Sequence, residues 1–246
     1  MKPNRVQGQE GQTPTTQKRG LLVALLGPTA SGKSHLALEA ARALDGEIVN
    51  CDSMQMYRQL QIGTAKPTLE QRKQVPHHLY DLVDPDEYFG AGRYMKEARS
   101  VWREITGRGK ISFVVGGTGL YLRALLEGGF EGPGRSERIR KRLKKVGQRR
   151  GFEYLHRWLE AKDPQAAGRI QPQDQIRIIR TLEIYLLTGK PISELQASRK
   201  PLQDLSILKV GLNLPRDILY DRINRRVSEM FRSGLEEEVQ QLLDQG

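Results

Sequence analysis

The chain has 246 residues, enough for one large domain or a domain with an insertion. Lys and Arg outnumber Asp and Glu 40 to 29, a net charge of +11, with 37% hydrophobic and 28% charged residues. No apolar run approaches the ~18 residues of a membrane span, and the single cysteine, Cys51, excludes a disulfide framework or a Cys-rich zinc module and suits a reducing, cytoplasmic compartment.

Residues 1–19 are rich in Gln, Thr and Gly with almost nothing apolar, and read as a disordered tail rather than a secretory signal. Leu21–Leu26 is a short continuous apolar run suited to a strand buried on both faces. The pattern then predicts a helix over Ser34–Leu44, with Leu36, Ala37, Ala40, Ala41 and Leu44 inward, and a second strand over Glu47–Asn50. An amphipathic helix follows at Arg93–Thr106, a strand at Ile111–Val115 and a helix at Thr118–Leu126. Far downstream come a strand at Ile207–Leu212 and helices at Leu219–Phe231 and Leu235–Leu243. Strands separated by helices predict an α/β fold, a parallel sheet with helices on both faces.

Residues 127–205 break that rhythm. After Gly128, Gly129, Gly132, Pro133 and Gly134, Ser136 is placed to cap a helix with a narrow stripe of Ile139, Leu143 and Val146. Helices at Phe152–Leu159 and Asp174–Leu187 follow, the second closed by Gly189 and Pro191. This segment reads as an inserted all-helical domain, with residues 20–126 and 206–246 forming the core. Residues 127–200 hold 17 basic against 9 acidic residues, and Arg135–Arg150 alone has nine basic residues against Glu137. Such a concentration favours contact with a nucleic-acid backbone over a merely solvated face.

The strongest motif is Gly27-Pro28-Thr29-Ala30-Ser31-Gly32-Lys33-Ser34, a complete phosphate-binding loop between a strand and a helix. Its backbone N–H groups and helix terminus suit a di- or triphosphate, Lys33 a terminal phosphate and Ser34 a magnesium ion. Asp52 follows the second strand, Gly116-Gly117-Thr118-Gly119 the third and Arg216 the last. In an open parallel sheet all four loops share the carboxyl edge, where ligands bind. His77 and His78 are adjacent on an extended stretch, so they point to opposite sides and make a poor zinc pair. Trp102 and Trp158 fall on apolar helix faces and are expected in cores.

Six motifs stand in order: GPTASGKS, DSMQMY, IGTAKP (Ile62–Pro67), PHHLYD, VVGGTGLY and IIRTLEIYLLTGKPISEL (Ile178–Leu195). Together they resemble the tRNA dimethylallyltransferase family from Leu21 onward. That resemblance implies a nucleotide-kinase-like P-loop core with an inserted helical domain. It implies transfer of a dimethylallyl group from dimethylallyl diphosphate to the N6 amine of an adenosine beside the anticodon, by a monomer acting on a tRNA anticodon stem-loop. Thr29, Lys33 and Ser34 would contact the diphosphate beside Mg2+, and Arg216 would face it near the breaking bond. Asp52 would be the general base, with Asp52, Ser53, Met54 and Gln55 against the adenine. Thr118 and Ile176, Arg177, Ile178, Ile179 and Arg180 would touch the tRNA. Members usually run on past the position of Gly246 into further tRNA contacts. The residues alone also admit a P-loop small-molecule kinase with ATP in the loop, an adenine-nucleotide isopentenyltransferase, or an RNA-binding protein with a relic P-loop.

Overall fold

The computed structural model describes residues 20–129, 132–197 and 199–245; the predicted disordered tail lies outside them. Five parallel strands form one sheet: β1 (Gly20–Leu26), β2 (Gly46–Asn50), β3 (His77–His78), β4 (Ile111–Val115) and β5 (Leu205–Gly211), in the order β3-β2-β4-β1-β5.

Alternation along the strands divides the core in two. Val23, Leu25, Ile48, Phe113 and Val115 pack on Ala37, Leu38 and Ala41 of α1 (Lys33–Ala43) and on Val75 after α2 (Leu69–Gln74). Leu22, Ala24, Val49 and Val114 face the other way. They meet Tyr94, Ala98, Trp102 and Ile105 of α3 (Ala91–Gly107) and Tyr121, Leu122 and Leu125 of α4 (Gly119–Glu127). Both faces of β1, β2 and β4 are therefore covered, as expected, whereas β5 stays largely exposed. The inward stripe of α1 differs from the periodic reading: Leu36 and Leu44 are exposed and Leu38 is buried. The helix starts at Lys33 directly off the phosphate loop, and that geometry, rather than maximal apolar content, sets which face meets the sheet.

Four short elements escaped the sequence reading: α2, β3, α7 (Pro164–Ala167) and α9 (Ile192–Ala197). None is long enough to show a period. β3 exists because β2 offers it a partner, Ile48 and Val49 pairing with His77 and His78. The two histidines diverge as expected. His77 Nδ1 lies 2.8 Å from the Val75 carbonyl, and His78 Nε2 lies 2.7 Å from the Glu47 carboxylate.

The helices α5 (Glu137–Arg150), α6 (Phe152–Lys162) and α8 (Gln175–Thr188) build a separate apolar cluster from Leu143, Leu155, Leu159, Ile178, Ile179 and Leu182. Ser136 caps α5, its hydroxyl accepting from the Ile139 N–H, and Trp158 lies partly buried at this cluster. The expected division lies at 126/127 and 205/206. α4 runs through Glu127, β5 begins at Leu205, and Leu202 already packs on the sheet while its N–H donates to the Leu126 carbonyl at 2.9 Å. β5 is followed by α10 (Arg216–Arg232) and α11 (Leu235–Asp244). Among the described residues, no helix is long and apolar enough to cross a membrane.

Candidate active site

The carboxyl ends of the strands open into a cleft of about 810 Å³. Its floor is the phosphate loop. Gly27 and Gly32 take positive φ, as does Ala30 at 62°, and a Cβ on Gly27 would stand 2.7 Å from the Leu212 carbonyl oxygen. Gly32 caps α1 without a side-chain hydrogen bond, which leaves the first-turn N–H groups free for an anion. The Ser31 side chain lines the cleft, is buried, and has a hydroxyl with no partner. An orphaned buried donor of this kind marks a place for a ligand oxygen.

Lys33 folds back over the loop, donating to the carbonyls of Gly27 at 2.9 Å and Pro28 at 2.7 Å. Burial lowers its pKa, the Asp52 charge opposes that shift, and repulsion from Arg226 adds to it. Lys33, Asp52 and Arg226 thus share one electrostatic environment. Asp52 lines the cleft opposite the loop.

The position of Asp52 is held from three sides. Buried Asn50 accepts from the Asp52 N–H at 2.9 Å and donates to the Leu79 carbonyl at 2.9 Å. The Asp52 carboxylate itself accepts from the Met54 N–H at 3.0 Å, an Asx turn that leaves its other oxygen available. Thr118 accepts from the Ser53 N–H at 3.0 Å, while the Thr118 N–H donates to the Cys51 carbonyl at 3.1 Å. Gly116 makes this approach possible, since a Cβ there would stand 2.2 Å from the Cys51 carbonyl. Thr118 therefore anchors the aspartate loop.

Other expected site residues divide. Thr29, Ser34 and Gln55 line the cleft, and the Gln55 amide donates to the Thr64 and Ala65 carbonyls, tying the aspartate loop to the segment Ile62–Pro67. Lys66 also lines it, but its ammonium is engaged by the Asp81 carboxylate at 2.7 Å and by the Tyr57 carbonyl. Met54 is half exposed.

Arg216 departs from expectation. It is the first residue of α10, exposed and outside the cleft lining. The arginines that line the cleft are Arg222 and Arg226, with Glu229, Met230 and Ser233 on the same stripe. At about 100° per residue, a position six residues before Arg222 lies about 120° around the helix. Arg216 and Arg222 thus cannot share a face. The spacing 222, 226, 229, 230, 233 was visible in the sequence as one helical stripe, but only the packing says what it faces.

The expected tRNA-touching residues of α8 divide likewise. Ile178 and Ile179 are 0% and 4% exposed inside the helical cluster, so their side chains offer RNA no surface. Arg180 is spent on Glu183 at 2.7 Å and the Pro133 carbonyl at 2.9 Å. Ile176 and Arg177 are exposed at the start of the helix.

A cation in this cleft would find oxygen donors, the Ser34 hydroxyl and the Asp52 carboxylate. That set suits magnesium shared with substrate phosphates. Among the described residues no group of three or more His, Cys, Asp or Glu side chains converges on a metal position.

A parallel sheet with helices on both faces, a phosphate-loop motif and a carboxylate lining the same cleft define an α/β protein of the P-loop class. Comparison narrows this. The family model described as IPP transferase matches residues 55–246, and one described as isopentenyl transferase matches residues 21–80. The chain belongs to the IPP transferase family. It is 54% identical to the tRNA dimethylallyltransferase of Koribacter versatilis over 91% of this chain and 73% of that one. It is 48% identical to that of Geobacter metallireducens, over 94% and 75%. Among solved structures, the full-length tRNA isopentenylpyrophosphate transferase of Bacillus halodurans is 41% identical, with a TM-score of 0.59 over 93% of this chain and 71% of that one. A eukaryotic dimethylallyltransferase described as acting on tRNA is 31% identical, with a TM-score of 0.74 over 92% and 56%.

Proposed function

We propose that this protein transfers a dimethylallyl group from dimethylallyl diphosphate to the N6 amine of an adenosine in the tRNA anticodon loop, releasing diphosphate. The observation that carries the reading is that Lys33 and Asp52 line one cleft and act on each other electrostatically.

In this reading N6 attacks the first carbon of the allylic chain, that carbon's bond to the diphosphate oxygen breaks, and Asp52 takes the N6 proton. Charge grows on the departing oxygen as the bond loosens. The loop N–H groups, Lys33 and Arg222 therefore stabilise the transition state more than the ground state. Ser34 would hold a magnesium ion beside the diphosphate, where it would supply charge neutralisation. The adenine amine is a weak nucleophile because its lone pair is delocalised, so a base positioned to accept its proton contributes roughly 10²–10⁴-fold. An adenosine in a single-stranded loop leaves its stack at low cost and can be presented from outside. The basic helical segment binds the RNA backbone, a surface that a free nucleotide acceptor would not require.

The test is incubation with unmodified tRNA, dimethylallyl diphosphate and magnesium, followed by mass spectrometry of the released nucleosides. An isopentenylated adenosine that appears only when the RNA is present supports the reading. ATP-dependent phosphorylation of a small molecule without RNA, and no prenylated nucleoside, would overturn it.

A further inference from the structure

Between α5, α6 and α8 lies a groove of about 1020 Å³ that none of the six motifs explains. Its floor is apolar, with Ile139, Leu143, Val146 and Leu186 beside the indole of Trp158 and the ring of Tyr154. Its rim is cationic. Arg138, Arg142, Arg149, Arg150 and Arg157 surround it, and among the described residues no acidic one lines it. Arg150 is committed within the groove, lying 5.0 Å over the Tyr154 ring and donating to its hydroxyl at 3.0 Å. The other four arginines are exposed and form no ion pair among the described residues. Glu183, a buried acid on α8, is already taken by Arg140, Arg180 and the Ser136 N–H.

We propose that this groove is a separate binding site for an unpaired nucleotide of RNA, with the base against Trp158 and Tyr154 and the flanking phosphates on the four free arginines. Two features select this occupant. A double-helical stem would satisfy the arginines but leave an aromatic, apolar recess beneath them empty. A greasy partner helix would fill the recess but has no use for four unpaired guanidinium groups. Base-on-aromatic stacking under a positively charged rim is the general chemistry of single-strand recognition. The proposal rests on RNA being the partner, as in the preceding section, but it concerns a different site from the phosphate-loop cleft.

Trp158 reports on the groove directly. In a Trp102→Phe background it is the sole tryptophan, and its emission can be followed without any allylic diphosphate. An unstructured eight-nucleotide RNA is expected to quench it, and a blunt RNA duplex of equal charge to bind at least tenfold more weakly. Replacing both rim residues, Arg142→Ser and Arg149→Ser, should weaken single-strand binding at least tenfold. It should also reduce the slope of log affinity against log salt by about 1.4, from ~0.7 per phosphate contact. An equal slope with the double variant, equal quenching by the duplex, or equal quenching by oligo-glutamate overturns the proposal. The like double change Arg42→Ser and Arg123→Ser, on α1 and α4, controls for net charge. Quenching with no prenylated nucleoside would sink the reaction proposed above and leave the groove standing, and product without quenching would do the reverse.

Discussion

The carboxylate of Glu238 accepts the N–H of Ile62 at 2.7 Å, and the neighbouring N–H groups of Gln61 and Gly63 at 2.8 and 2.9 Å close around the same side chain. Three successive amides cup one anion, so α11 is fastened to the loop that borders the cleft. Charge-assisted bonds of this type are worth roughly 1.5–3 kcal/mol each against an unsatisfied group, less where water can replace the partner. Glu238→Ala is expected to speed amide exchange at residues 61–63 at least tenfold while leaving the β-sheet amides unchanged. Hydrogen exchange with mass spectrometry measures this, and equal protection in both proteins would contradict the fastening role.

Asp52 can be tested without disturbing its loop. Asn at this position still accepts the Met54 N–H that Asp52 accepts at 3.0 Å, but it cannot take a proton. Asp52→Asn should lower single-turnover prenyl transfer about 10²–10⁴-fold with tRNA affinity within a factor of two of the parent. Near-normal turnover would remove the base assignment.

The two arginine positions give opposite expectations. Arg222 lines the cleft and Arg216 does not. Arg222→Ala should depress kcat/KM for the allylic diphosphate about 10²-fold or more, equivalent to about 2.7 kcal/mol of lost transition-state stabilisation. Arg216→Ala should cost less than threefold. Steady-state kinetics on both variants decides between them.

Acid should unfold the protein through three buried or half-buried carboxylates. Burial opposes ionisation of Glu47, but hydrogen bonds from Arg108 and His78 outweigh it and hold the carboxyl below its ordinary 4.5. Glu183 behaves alike, burial being outweighed by Arg180, the Ser136 N–H and Arg140. In Asp81, burial is outweighed by Lys66 and Arg72, which hold it below 3.8. A carboxyl depressed on folding contributes stability that is complete above its unfolded value and lost as pH falls through the folded one. The melting temperature should thus be nearly flat from pH 7 to 5 and fall steeply below about 4.5. Glu47→Gln should melt several degrees lower at pH 7, with a shallower acid limb, on ~2–4 °C per kcal/mol for a chain of this size.

Much of the site was legible before any fold was known. The phosphate loop announces itself because an anion cradle needs glycines at fixed spacing, and the parallel sheet places Asp52 and Thr118 on the same edge. Arg222 was not legible. A basic residue at helical spacing looks the same whether it faces solvent or a cleft, and Arg216 was the first in line after β5. The role of Asn50 has no sequence signature for a similar reason. A polar residue at a strand end carries no period, and its hold on Asp52 depends on Leu79, 29 residues away.

From the order of its residues alone this chain specifies a parallel sheet with helices on both faces, a phosphate-loop motif and a basic helical segment, because each depends on local periodicity, turn chemistry or charge density. Which face of α10 lines the cleft, which isoleucines of α8 are sealed away and which arginines stay unpaired above Trp158 depend on contacts between segments far apart in sequence. Only the packed molecule decides those, since a side chain's neighbours across space have no signature in its neighbours along the chain.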